Sequence, residues 1–436
     1  MERTLSLIAD MNRAEPLLQF AWTGEQPRLA YSLLLFQVLT GCRWSRVSSP
    51  DNERDDLLWA RKGDADPWMV YEISEAWGRL ELIQPENKRL ETACFVRPGG
   101  LKPDWLLSMA WMALRIEERF GEKDVHGRFV SSNSLAARME VERIPWVHRW
   151  AESLANEWGL KVDNQPVSKV NISVDVDHLL AFAGRSYGHV VLAGIRDVLY
   201  GKVRKALTRW RARAGGIDPY DTLSEQVDLW EGRPWNYFAL MQLSRSKQDS
   251  GVDFTNHRAQ TLWRDLDQKL NGALGWHPST GASKGARNGL LEQEYRQVSR
   301  LLGREVVRSR FHFLAFEPEV HYPILAALGI REDHSMGYVD RMGWRAGIAV
   351  PYPWFDLEQN VVLDFWVHPF FAMDGHLLYY HPVDQPFEEW NKAHAACVEQ
   401  GVPFSWVTHW RFFSEVDPNW TGWKENVKEM AQWGEK

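Results

Sequence analysis

Apolar positions recur at helical spacing over residues 27–40, and Gly41 follows as a C-cap. The same period predicts helices over 103–120, opened by Pro103 and closed by Gly121, and over 145–158, 290–302, 322–328 and 385–400. Between them lie short runs in which apolar and β-branched residues alternate or cluster. Residues 68–73, 169–176, 306–315, 329–333 and 403–409 read as strands. Residues 51–66 are rich in charge and read as a loop. Over 190–213 the pattern predicts one helix with a basic face of Arg196, Lys202, Arg204, Lys205, Arg209, Arg211 and Arg213. Such a face suits an anionic polymer, a membrane surface or nucleic acid, but a merely solvated face is the preferred reading. Asn164-Gln165-Pro166 interrupts the pattern, which divides the chain into a smaller α+β domain, 1–165, and a second domain, 166–436. In the second domain strands and helices alternate, which implies a mostly parallel sheet, open or closed into a barrel.

The stretch 169–178 opens that domain. Val170, Ile172 and Val174 make a buried strand that ends in Asp175, Asp177 and His178. Carboxylates at the end of a buried strand are costly unless they meet a metal, a cation or a substrate. In α/β folds ligands sit at those carboxyl ends. The competing reading makes Asp177 the cap of a helix beginning near Leu179. Further polar groups fall at the ends of other predicted strands: His277, Arg310 with His312, Asp333 and His409. Carboxylate and imidazole from different strands form a zinc-type or iron-type donor set, and the remaining acids and imidazoles suit acid–base work on water.

Composition limits the classes of function. With 436 residues, 44% of them apolar and 25% charged, the chain has the make-up of a folded protein of two or three domains. A net charge of -7 excludes a global nucleic-acid footprint. Cys42, Cys94 and Cys397 are far apart, which argues against both a disulfide framework and a cysteine zinc site. No signal segment or membrane span is visible, so a cytoplasmic protein without stable membrane insertion is expected. The 24 tryptophans are expected mostly in the core, with some available as platforms for sugar rings.

From about Ser168 onward the chain resembles the polysaccharide deacetylase family, carbohydrate esterases with a distorted, incomplete (β/α) barrel, and most closely a divergent bacterial branch of it. The motif Ser173-Val174-Asp175-Val176-Asp177 resembles the family's acidic pair, with Val176 interposed between two acids that are usually adjacent. The resemblance makes Asp175 the catalytic base and Asp177 a metal ligand. His277-Pro278-Ser279 keeps the first histidine of the second motif, while Gly281 stands where the second should be. Arg310, His312 and Phe313 occupy the third motif, whose arginine orients the base. Asp333 and Trp344 resemble the fourth motif and are assigned, with Ser279, to substrate contact. His409 resembles the fifth, whose histidine protonates the leaving amine. The front segment resembles the uncharacterised domain of the same branch through Arg115, Glu117-Glu118 and Asp124-Val125-His126-Gly127-Arg128-Phe129. Of these, Arg115, Asp124 and Arg128 could bind a sugar or an anion, but a buried ion network between the domains is the preferred expectation.

The resemblance implies a divalent-metal hydrolase, with zinc the expected ion, that removes an N-acetyl or O-acetyl group from a sugar in a glycan or glycan precursor. The lost histidine motivates the alternative, a catalytically impaired glycan-binding or assembly protein. His312 is the expected replacement ligand, against the alternative that it only hydrogen-bonds a carboxylate in the pocket. Side chains alternate along a strand, so if Arg310 reaches the site, His312 faces it too.

Overall fold

The computed structural model describes residues 18–433, apart from 51–53, 63–65, 86–89, 101, 163–168, 224, 227–234, 244–245, 250, 415–419 and 421. The boundary expected at 165/166 lies outside the described residues. The front of the chain contains β1 (Leu18–Ala21), α1 (Pro27–Thr40), β2 (Trp44–Arg46), β3 (Leu57–Arg61), β4 (Met69–Glu72), α2 (Trp105–Ala113) and α3 (Trp146–Glu157). Its four strands form a sheet of order β2-β1-β3-β4. Helix α1 has the expected bounds, with Pro27 in its first turn and Gly41 left-handed at its end. Strand β3 falls inside the stretch read as a charged loop. Its alternate residues Leu58 and Ala60 are fully buried, which outweighs the charges around them.

Helix α2 stops well short of Phe120. Arg115 is left-handed (φ 55°) and a 3-10 turn, Ile116–Arg119, follows. That turn lets the Arg115 guanidinium reach Glu117 at 2.6 Å and Glu118 at 2.7 Å.

Behind this lie β5 (Val170–Val176), α4 (Tyr187–Leu199), α5 (Val203–Arg213), β6 (Asn236–Ala239), α6 (His257–Lys269), β7 (Gly275–Trp276), α7 (Leu290–Leu302), β8 (Arg308–Ser309), α8 (Pro318–Ala327), β9 (Glu332–Met336), β10 (Tyr352–Asp356), β11 (Val361–Pro369), β12 (Ala372–Met373), α9 (Pro386–Glu399), β13 (Phe404–His409) and α10 (Trp423–Gln432). Nine strands form one curled sheet of order β10-β11-β9-β8-β7-β6-β5-β13-β12. Every neighbouring pair is parallel except β10 with β11. No pairing joins β10 to β12 among the described residues, so the fold is a mixed α/β one whose sheet curls without closing.

Two expectations need correction. The single helix over 190–213 is the hairpin α4–α5, broken at Gly201, whose φ of 73° is left-handed. The long strand over 306–315 is only the two residues of β8. A 3-10 turn, His312–Leu314, follows, with Phe313 (φ 62°) and Leu314 (φ 50°) left-handed. An extended strand therefore does not orient His312.

One apolar cluster runs through both sheets, and sixteen of the tryptophans among the described residues are buried, so tryptophan here mainly builds core. Tyr31 donates to the Pro353 carbonyl at 3.2 Å and Tyr352 to the Ala113 carbonyl at 3.1 Å. The loop 343–347 lies against the front segment. Gly347 (φ 64°) allows that approach, because a Cβ there would come within 2.6 Å of Met112 Sδ. Arg345 binds Glu118 through two hydrogen bonds, 2.8 and 2.6 Å, and Glu118 also holds Arg115. The expected ion network joins the front segment to the curled sheet, though through Glu118 and Arg345 rather than Asp124. Removing one member of a buried network leaves its partner charges uncompensated. Glu118→Ala is therefore expected to cost about 3–5 kcal/mol in urea unfolding, in one transition shared by all probes. A loss under about 1 kcal/mol, or separate transitions for front and back, would contradict this joint core.

Candidate metal centre

The parallel register brings several strand ends to one place. His277 N donates to the Ala239 carbonyl, Arg310 N to Trp276 and His312 N to Pro278, each at 3.0–3.1 Å, so each chain end leans on its neighbour. Asp175, Asp177, His277, Arg310, His312 and His409 all line one cavity of about 220 Å³. Asp177 does not cap a helix. Helix α4 begins only at Tyr187, with Ser186 as its cap, and Asp177 turns inward instead.

Three imidazoles face the Asp177 carboxylate through Nε2. His277 stands 3.1 Å and His312 3.7 Å from Oδ1, and His409 stands 3.5 Å from Oδ2. Each ring is fixed from behind through Nδ1. His277 Nδ1 meets the Arg310 carbonyl at 2.5 Å, His312 Nδ1 meets Asp249 at 2.9 Å, and His409 Nδ1 meets Asp374 at 2.8 and 3.0 Å. Carbonyls and carboxylates only accept, so Nδ1 carries the proton in every case. A neutral His277 so held turns its Nε2 lone pair to the Asp177 carboxylate. Accordingly Asp177 Oδ1 is buried with no hydrogen-bond partner despite the short approach. Two electron-rich atoms at 3.1 Å call for a cation between them.

The donors fit a metal. Asp177, His277 and His312 each offer one donor atom, and all lie within 4.8 Å of one another. Bonds of ~2.0–2.1 Å at a tetrahedral angle separate neighbouring donors by roughly 3.3 Å. Carboxylates behind metal-bound histidines fix their orientation and raise their basicity, the role open to Asp249. The acids of this cluster draw protons to the same atoms a metal would take, so ion and proton compete there. Burial alone would raise the Asp177 carboxyl, but the charges of His312 and His409 hold it well below the usual range. Burial would lower His312, yet Asp177 and Asp249 push it up to about 10. His409 is likewise pushed up to about 9, against burial, by Asp374 and Asp177.

Asp175 lies beside this cluster and accepts a 2.9 Å hydrogen bond from Arg310 Nη1. Arg310 is itself buried and fixed by donating Nε to the His334 carbonyl at 2.9 Å. Phe313 and Leu314, the two left-handed residues, line the cavity just after His312. Non-glycine residues in that region are strained and cluster at functional sites. The turn they make, rather than strand alternation, delivers His312.

Three assigned residues are elsewhere. Asp333 is fully buried and accepts from Ser309, Ser335 Oγ and the Ser335 amide. Trp344 is buried with its ring edge-on to Phe371. Ser279 caps a helical turn and donates to Glu294 at 2.6 Å. None lines the cavity, and the polar side-chain atoms of Asp333 and Ser279 are taken up within the fold. No tryptophan among the described residues lines it either. Its aromatic wall includes Phe313, Tyr379 and Tyr380, the two tyrosines carried on a π-helical turn, His376–Tyr380. Sequence reasoning missed Asp249 and Asp374, and it missed that Arg128 of the front segment reaches the cavity, where it lies over the Phe313 ring at 4.2 Å.

A second group, Glu332, His334 and His368, also has donor atoms within 4.8 Å of one another. Both imidazoles face one Glu332 oxygen at 3.6 Å, and Arg308 Nε stands 3.1 Å from the same atom. Burial, then the charges of Arg310 and Arg308, hold His334 well below its ordinary range. The Arg308 guanidinium already serves this carboxylate, so we assign no ion there.

No family model matches the chain, and no curated protein matches it. Among solved structures it is similar to a putative polysaccharide deacetylase from Mycobacterium smegmatis, at 14% identity and a TM-score of 0.38 over 61% of this chain and 85% of the other. A probable polysaccharide deacetylase from Pseudomonas aeruginosa PAO1 gives 11% and 0.38 over 64% and 90%. An allantoinase gives 12% and 0.35 over 63% and 88%. Likeness at this level extends to neither chemistry nor substrate.

If Asp249 fixes His312 for an ion, Asp249→Asn is expected to weaken zinc binding by about 10–100-fold, measured by calorimetry on the metal-stripped protein. Unchanged affinity in a folded variant would remove His312 from the ligand set.

Proposed function

We propose that the chain is a metal-dependent hydrolase that removes an acetyl group, N-linked or O-linked, from a sugar. The observation that carries this reading is the donor trio of Asp177, His277 and His312 beside an arginine-held Asp175. The impaired-site alternative rested on the missing second histidine, and the position of His312 beside Asp177 removes that motive. Two nitrogens and one oxygen suit zinc, among other first-row ions, and leave room for water and substrate. A divalent ion held there supplies a Lewis acid for the acyl carbonyl and for water.

The chain's own groups perform the remaining steps. Asp175 takes the proton of the attacking water, and Arg310 aims that carboxylate by a charge-assisted hydrogen bond. The water oxygen bonds to the acyl carbon, and the carbon–nitrogen or carbon–oxygen bond to the sugar then breaks. His409, held by Asp374 and raised toward its protonated form, gives the departing nitrogen or oxygen its proton. Phe313, Tyr379 and Tyr380 are 37%, 55% and 40% exposed around the cavity and offer flat apolar faces on which a sugar ring can rest.

Asp175→Asn is the direct test of the base. The variant is expected to fold, to keep its metal, and to release acetate from an N-acetylated glycan about 10²–10⁴-fold more slowly. Undiminished turnover would take the role of base from Asp175. Failure of the wild-type protein to release acetate from any N-acetylated or O-acetylated glycan would overturn the function.

A further inference from the structure

Helices α4 and α5 pack chiefly on each other, and through the wrong side chains for an ordinary surface hairpin. Their buried positions are mostly small: Ala193 and Gly194 on α4, Ala206 and Ala212 on α5, with Val190 the one larger aliphatic. The Asp197–Arg209 ion pair, 2.8 Å, closes the same face. Arg258 of α6 ties the hairpin down through the Ala212 and Gly216 carbonyls. The large apolar side chains point outward. Leu192 is 70% exposed, Leu199 80%, Tyr200 75% and Ile217 83%. Of the 24 exposed large hydrophobic residues among those described, eleven fall between Tyr187 and Ile217, a concentration that scattered surface apolar residues do not produce.

Charge follows the same segment. Residues 187–217 hold seven Lys or Arg and one acid, Asp197, on a chain whose net charge is -7. Arg209 neutralises Asp197 within the hairpin, which leaves Arg196, Lys202, Arg204, Lys205, Arg211 and Arg213 without an acid in this stretch. Arg196, Lys202, Arg204 and Arg211 are exposed beside the apolar residues. An amphipathic pair with Leu, Ile, Tyr and Trp on its open side and Lys and Arg among them has the chemistry of a helix lying in a bilayer interface. No helix among the described residues is long and apolar enough to cross a membrane, so such a hairpin lies on the surface.

We propose that the α4–α5 hairpin docks the protein onto an anionic phospholipid surface, with Leu192, Leu199, Tyr200 and Ile217 entering the headgroup region and the lysines and arginines meeting lipid phosphates. The open face separates this occupant from two others. A nucleic acid would match the cations and leave the aliphatic side chains facing phosphate and water. A second copy would match the aliphatic side chains and bring two sets of cations together. Only an anionic bilayer satisfies both. This docking is independent of the hydrolase reading.

The test is flotation of the full-length protein with vesicles of phosphatidylglycerol and phosphatidylcholine in equal parts, against phosphatidylcholine alone. The protein is expected to float with the anionic vesicles, to remain behind with the neutral ones, and to be released by high salt. Leu192→Glu with Leu199→Glu, and separately Lys202→Glu with Arg204→Glu and Lys205→Glu, should each weaken binding by at least about tenfold. Leu192, Leu199, Lys202 and Arg204 are exposed and Lys205 is half-buried, so the circular dichroism and melting temperature should match the wild type. Absence of binding to anionic vesicles overturns the proposal, as does equal binding by the folded variants. Retention on DNA without vesicle binding would assign the face to nucleic acid instead. A dimer that Leu192→Glu with Leu199→Glu converts to a monomer, without vesicle binding, would assign it to a second copy.

Discussion

One largely buried carboxylate, that of Asp177, sets the arrangement at the open end of the curled sheet. A carboxylate in that position is tolerable only with positive charge around it. Three imidazoles supply the surroundings, each from a different part of the sheet, and each is turned inward by an acceptor behind its Nδ1. The Arg310 carbonyl, Asp249 and Asp374 therefore matter as much as the rings they hold. Fixing Nδ1–H commits Nε2 to the centre, and that commitment separates a ligand set from three histidines that happen to be close.

Arg310 links the two functions of the site. Its backbone carbonyl holds His277 and its guanidinium holds Asp175, while its own Nε is tied to the carbonyl of His334. The water-activating carboxylate and one metal-facing imidazole are thus positioned by one residue at the end of a two-residue strand. The strained turn that follows places His312. The front segment closes the same region: Arg128 donates to the Phe313 carbonyl at 3.1 Å, and Glu118 anchors Arg345 across the shared core.

What the sequence made legible were the features with local causes. Helices α1, α3, α7 and α9 follow from apolar period and their end residues, and β5 and β13 from β-branched or aromatic runs ending in polar groups. Asp175, Asp177, His277, Arg310, His312 and His409 were placed together because strand ends converge in a parallel sheet. The reason given for His312 was wrong, because left-handed backbone at Phe313 and Leu314 leaves no trace in a sequence. Asp249 and Asp374 were hidden because short acids in loops look like ordinary turn formers. Asp333, Trp344 and Ser279 were assigned by motif resemblance, and their hydrogen bonds and packing instead serve the interior. The α4–α5 stretch was read by its charges alone. Its exposed leucines became informative only once small residues were seen to fill the hairpin's inner face.

Anomalous scattering at the zinc edge, from crystals of the protein loaded with one equivalent of zinc, tests the central assignment most directly. The predicted result is one strong peak about 2.0–2.2 Å from an Asp177 oxygen, His277 Nε2 and His312 Nε2, with Asp175 beside it and uncoordinated. A peak among Glu332, His334 and His368, or no peak at Asp177, would contradict it.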